Sequence, residues 1–191
     1  MTKTEYVSHV EEITEDWQRE RPDIDLDRFL FSIYVQRLGR IIQQDFERLC
    51  QSEHRLRSSD VRVLLALRRR GPPYAQRPTD LFRALLITSG AVTKQVDRLV
   101  ARKLVVRLPD PDYLKGFLVK LTDKGLKLVD GIANEIADGT AIAPEMSAIS
   151  RTEIRNAGHF CLRALKLLES QRLPPEPKRG GGKRGKTRAK A

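Results

Sequence analysis

Residues 88–100 read TSGAVTKQVDRLV. At 100° per residue this is one short helix with Val92, Val96, Leu99 and Val100 along one side and Gly90, Lys94, Asp97, Arg98 and Ala101 along the other. The small residues at 90 and 101 remove bulk where a second surface would approach, while Lys94 and Arg98 bring donors and charge. Thr88, Ser89, Thr93 and Gln95 on the flanks add hydroxyls and an amide. A helix that enters a DNA major groove needs this combination: a backbone that comes close, side chains that reach base edges and cations for phosphates. The alternative is an ordinary surface helix whose Lys94 and Arg98 are merely solvated, and the surrounding sequence favours the first reading.

Immediately upstream, PTDLFRALLI (78–87) has a proline suited to helix entry and Leu81, Leu85 and Leu86 on an apolar side. Two short helices with so tight a connection predict a helix-turn-helix. Downstream, LVVRLP (104–109) and GFLVKL (116–121) are strand-like runs around a turn-rich DPDYLK tip. Helix, helix, hairpin is the order of a winged helix. SSDVRVLLALRRRG (58–71) adds a preceding helix with serines suited to its N-cap and a stop at Gly71.

The flanks are helical as well. Residues 5–20 form a charged helix with the single tryptophan, Trp17, ended by Pro22. Residues 29–50 form a long amphipathic helix with a stripe of Phe31, Tyr34, Val35, Leu38, Ile41, Ile42 and Leu49. Residues 122–138, capped by Thr122, and 149–170 follow, the latter with Ile154, Ala157, Cys161, Ala164 and Leu168 stepping like coiled-coil a and d positions. The chain closes on PPEPKRGGGKRGKTRAKA, without apolar periodicity and expected to be disordered in isolation.

Charge is unevenly placed. The last 18 residues hold seven lysines and arginines against Glu176, a net +6 out of +11 for the 191-residue chain. A mildly basic body with a strongly basic tail points to a polyanion. Nucleic acid is the leading partner and an anionic membrane surface the competitor. No apolar run reaches the roughly 18 residues of a membrane span, and the N-terminus lacks the pattern of a secretion signal; a cytoplasmic protein with no membrane partner is expected. Cys50 and Cys161 read as two buried small hydrophobes. His9, His54 and His159 fall on different helices, no HExxH or CxxC occurs, and GGGKRGKT (180–187), which spells GxxxxGK[ST], lies in the tail without the strand before it that a phosphate-binding loop requires. The sequence therefore predicts no enzyme, no metal and no cofactor.

The run GAVTKQVDRLVARKLVVRLPDPDYLKGFLVKLTDKG (90–125) resembles the core of the MarR family of bacterial winged-helix transcription regulators. The similarity is carried by Asp97-Arg98-Leu99 at the end of the recognition helix and by the Val119-Lys120-Leu121-Thr122-Asp123-Lys124-Gly125 step that ends the wing; by helix order it extends over about residues 25–170. The resemblance implies a ligand-responsive repressor acting as a homodimer on a palindromic site, with two recognition helices in successive major grooves and two wings along minor grooves. The implied fold is mainly α (α+β): a winged helix-turn-helix with a two-stranded wing, flanked by N- and C-terminal dimerisation helices. Its parts would be an extra helix and linker (1–25), a dimerisation helix and connector (26–57), the DNA-binding domain (58–121), C-terminal dimerisation helices (122–172) and the basic tail (173–191).

On this reading Ser89, Thr93, Lys94 and Gln95, with Gly90 beside them, meet bases, while Arg98 and Lys115 meet phosphate or the minor groove. Most members carry Asp-x-Arg at the wing tip; counting back from Leu121-Thr122, those places hold Tyr113 and Lys115. Lysine lacks the planar fork of arginine, so a weaker wing grip is implied, with Asp112 one residue from the acidic place. The tail is a second source of affinity, or a solubilising appendage.

Trp17 through Asp25 and Leu67 through Tyr74 resemble the urate-responsive branch of the family. Trp17 and Arg107 match its ligand-linked positions, but the aspartate's place holds Arg62 and the second arginine's place holds Gln95. The reversal of charge argues against urate and for a small anionic or phenolic effector near Trp17, Tyr34, Arg62 and Arg107. The alternative has Trp17 stapling the extra helix to the core and Arg62 solvated. Two other readings also stand: an architectural, weakly specific DNA binder driven by the tail, and a winged helix that binds another protein.

Overall fold

The computed structural model describes residues 9–114, 116–139 and 141–172. Residues 1–8, Lys115 and the tail 173–191, with the expected start of the first helix at residue 5, lie outside the described residues. The chain forms two compact units, one up to Met146 and one from Ser147 onward.

In the first unit, α1 (His9–Glu20) has no buried residue. It meets α2 (Asp27–Arg48) through the Trp17 ring, edge-on to Phe29 with centroids 4.8 Å apart, and through a 2.6 Å hydrogen bond between the Thr14 and Tyr34 hydroxyls. Helix α2 buries Leu30 near its start and Asp45 and Phe46 near its end. Between them Val35, Leu38 and Ile41 are exposed, so most of the stripe read from the sequence is not covered by this chain. A π-helical turn, Leu49–Glu53, then takes Leu49 and Cys50 into the core.

The core belongs to the winged helix. Helix α3 (Ser58–Arg68) supplies Val61, Leu64 and Leu67, α4 (Pro78–Leu85) supplies Leu81, and α5 (Ser89–Ala101) supplies Val92, Val96 and Leu99. The expected serine cap of α3 is not formed: Arg57 occupies the N-cap, and its carbonyl accepts from the Asp60 and Val61 amides. Helix α4 ends where Leu86 adopts φ +54°, a left-handed cap that turns the chain within two residues to Thr88. Thr88 starts α5 by accepting from the Ala91 amide at 3.3 Å.

The sheet has three strands rather than the two expected. β1 (Ala75–Gln76) pairs antiparallel with β3 (Phe117–Leu121), which also pairs with β2 (Val105–Pro109), in the order β1-β3-β2. A two-residue strand has no periodicity to read. It exists because β3 offers a free edge and Gln76 is locked by its side-chain amide donating to the Ala66 carbonyl at 2.6 Å. Helix α6 (Asp123–Ala137), capped by Thr122, lays Val129 and Ile132 on α3 and the same core.

In the second unit, α7 (Arg151–Arg172) begins with a capping box: Glu153 accepts from the Ser150 amide, and the Ser150 hydroxyl accepts from the Glu153 amide. Ile154, Leu162, Leu165 and Leu168 are exposed, as is Cys161, which was expected to be buried. None of the helices described is long and apolar enough to cross a membrane.

Candidate DNA-binding surface

Helix α5 contacts three elements, α3, α4 and β2, so its buried arc is wider than the valine and leucine stripe alone. Gln95 falls inside that arc at 7% exposure, and its Oε1 has no hydrogen-bond partner. This overturns its placement as a groove contact: a side chain on the flank of an isolated wheel is turned inward once the helix is packed on three sides. Arg98 is also redirected. Its Nε and Nη2 donate to the Asp60 carboxylate at 3.0 and 2.5 Å, and Asp60 is buried. The bidentate pair raises the Arg98 pKa above its ordinary value. Its fork is engaged by α3 rather than offered to phosphate.

The Asp97-Arg98-Leu99 step thereby acquires a physical meaning. Asp97 accepts from Arg107 on β2, Arg98 binds Asp60 on α3, and Leu99 fills the core. Three successive residues bolt the recognition helix to the sheet, to the helix behind it and to the apolar interior. Asp60 was missed in the sequence, although an acid on the face shared by Val61, Val63, Leu64 and Leu67 was a visible signal for a buried partner.

What α5 leaves outward is its first half. Ser89, Gly90, Thr93 and Lys94 are exposed. The Thr93 hydroxyl donates to the Ser89 carbonyl at 3.2 Å, keeping its methyl and oxygen close to the helix. A Cβ at Gly90 would meet nothing in this chain, so no internal contact requires glycine there. This end of the helix presents a low backbone surface with a hydroxyl on each side and one ammonium.

The wing is held from beneath by a residue not anticipated from the sequence. Arg77, at the N-cap of α4, binds the Asp110 carboxylate through both Nε and Nη2 and reaches Asp112 at 3.1 Å. The guanidinium holds the buried Asp110 carboxyl below the usual carboxylate range. Tyr113 and Leu114 at the tip are exposed; Lys115 lies outside the described residues. At the other end of β3, Gly125 lies so close to the Leu104 carbonyl that a Cβ would be 2.0 Å from its oxygen. The Thr122 amide and hydroxyl donate to that same carbonyl, at 3.1 and 3.2 Å. The Leu-Thr-x-x-Gly step is therefore the seat on which α6 meets the sheet.

The four residues assigned to an effector are not gathered. Trp17 lies on Phe29, Tyr34 bonds Thr14, Arg62 bonds Gln43 with its guanidinium 5.3 Å above Phe46, and Arg107 bonds Asp97 while lying 5.1 Å over Phe117. A cavity of about 390 Å³ between α1 and α2 is lined by Tyr34 but also by Glu11 and Glu15, an acidic rim unsuited to an anion. Burial pushes the Cys50 thiol up to about 11, which leaves it protonated at neutral pH.

Residues 56–112 match the MarR family model. The regulator PecS of Dickeya dadantii is 29% identical over 147 residues, covering 76% of this chain and 88% of that protein. The multiple antibiotic resistance protein MarR of Salmonella typhimurium is 31% identical over 107 residues, covering 54% of this chain and 72% of its own length. The crystal structure of a mutant Escherichia coli MarR complexed with operator DNA superposes with a TM-score of 0.57 at 25% identity, over 73% of this chain and 99% of that one. With the winged helix, the three-way anchoring of its recognition helix and these relatives together, the chain belongs to the MarR family of DNA-binding, non-enzymatic transcriptional regulators.

Proposed function

We propose that the protein is a cytoplasmic homodimeric repressor that reads a palindromic or pseudo-palindromic operator and is released by a small anionic or phenolic effector. The outward first half of α5 carries this reading: Ser89, Gly90, Thr93 and Lys94 are exposed on a helix whose remaining faces are anchored. Ser89, Thr93 and Lys94 meet base edges, with Gly90 admitting the close approach. Arg98 leaves the set of contacts and holds the helix through Asp60, and Gln95 leaves it because it is buried. Lys115 remains a minor-groove or phosphate contact by its place in the sequence. Homodimerisation is supported by the apolar rows that a single chain leaves uncovered, Val35, Leu38 and Ile41 on α2 and Leu162, Leu165 and Leu168 on α7.

The test is fluorescence anisotropy, over a salt series, with DNA from upstream of the protein's own gene and a shuffled control, for the full chain and for one ending at Leu173. Preference of about a thousandfold that survives truncation is expected of a specific regulator. Affinity that vanishes with the tail and ignores sequence would instead describe an architectural binder. Of the effector residues, Arg62 and Arg107 are both exposed cations lying over an aromatic ring; Arg62, bonded to the neutral Gln43 rather than to a carboxylate, is assigned to the anion. Aromatic carboxylates that bind with equal heat and affinity before and after Arg62→Ala would remove this assignment.

A further inference from the structure

We propose that Leu114 is a wedge that enters the minor groove and opens a base step, so that the wing of this protein reads DNA deformability beside the contact assigned to Lys115. The inference rests on the DNA-binding reading above and concerns how its second contact works.

Leu114 is fully exposed, at 104%, and Tyr113 beside it is 64% exposed. A single solvated leucine means little on a surface, but this one stands on a built apex. The Tyr113 ring lies against Gly116 so tightly that a Cβ there would be 2.5 Å from its Cδ1. The Gly116 amide donates to the Tyr113 carbonyl at 2.8 Å, the Tyr113 amide to the Asp110 carbonyl at 3.3 Å, and the Asp110 amide to the Gly116 carbonyl at 3.2 Å. Arg77 fastens the base of this turn through Asp110 and Asp112. Tyr113 is thus folded back against the hairpin, and Leu114 projects fully into solvent.

The charge around it points the same way. Residues 108–116 contain one cation, Lys115, and no arginine, and both of their carboxylates are already paired with Arg77. The tip has no guanidinium with which to fill a narrow groove, but it has a rigid apolar projection. Apolar side chains inserted from the minor groove unstack and kink pyrimidine–purine steps, which are the least costly to deform. The position of the tip relative to α5 is set by the Asp97–Arg107 pair, which ties the recognition helix to β2. When α5 lies in a major groove, the wedge is carried to the flanking duplex on the same rigid support.

Duplexes enriched from a randomised pool by the full-length protein, then carrying 2-aminopurine at successive flanking positions, test this directly. Binding should raise the fluorescence at one flanking step and bend the duplex in a circular-permutation assay. Leu114→Ala should abolish the fluorescence rise, reduce the bend and lower affinity about tenfold, while Leu114→Met keeps all three. Both variants should melt like the parent, because Leu114 is completely exposed. An enriched duplex bound without any fluorescence rise, or bound and unstacked equally by Leu114→Ala, overturns the wedge and leaves the regulator reading intact. A pool from which nothing is enriched overturns both.

Discussion

Arg98 and Lys94 are one helical turn apart on α5, yet their loss should be felt in different experiments. Arg98→Ala leaves the buried Asp60 carboxylate without its partner and should cost about 2 kcal/mol of stability, less than a fully buried pair because Arg98 keeps about a third of its side chain in water. Lys94→Ala should leave the melting curve unchanged and weaken operator binding by about 1–3 kcal/mol if the ammonium reads a base. Chemical denaturation and anisotropy on the two variants separate the roles. Gly125→Ala is a second residue-scale test: its methyl must displace the Leu104 carbonyl, and a destabilisation of about 1–3 kcal/mol should appear as a lower denaturant midpoint. Cys50 offers a third. In a Cys161→Ser background, a thiol reagent at neutral pH should fail to modify the native protein and should react at once when denaturant exposes the buried, protonated thiol.

Among the elements, the wing depends on one ion-pair cluster. Asp110 titrates below its ordinary range because Arg77 donates to it, so the folded pKa is depressed relative to the unfolded chain. A depressed carboxyl contributes fully above the unfolded value, about 4, and loses its contribution as pH falls through the folded value. Hydrogen exchange of the Asp110, Asp112, Tyr113 and Gly116 amides should therefore stay slow from neutrality down to about pH 4 and accelerate only in stronger acid. In Arg77→Ala the same amides should exchange quickly throughout, with the α3 amides still protected. Equal protection in parent and variant at neutral pH would mean that the turn's own hydrogen bonds hold the wing without the clamp.

For the whole molecule, the decisive quantity is how many chains assemble. Apolar rows on α2 and α7 are exposed among the described residues, and rows of this kind mark association surfaces, which is the ground for the proposed homodimer. Light scattering should give twice the chain mass for the parent. On the proposed homodimer, a paired Leu165→Glu and Leu168→Glu variant should shift toward monomer and lose operator affinity by more than either substitution of α5, because two half-sites would be read only when two recognition helices are joined. A variant that stays dimeric would place the interface away from this face of α7.

Most of the elements were legible because their periods are local. The alternation of apolar residues at three and four along residues 58–68 and 89–101, the proline at α4 entry, the Thr122 cap and the paired strand runs each express a rule that acts within a few residues. With the Asp97-Arg98-Leu99 and Leu-Thr-x-x-Gly steps they determined the winged helix and its family. What only the tertiary structure decided is where side chains with two options place their hydrogen bonds. Gln95 turned inward because three elements close on α5, Arg98 and Arg107 found Asp60 and Asp97, and Arg77 reached the wing from 33 residues away. Long polar side chains choose partners by distance in space, and no spacing along the chain encodes that distance before the core has formed.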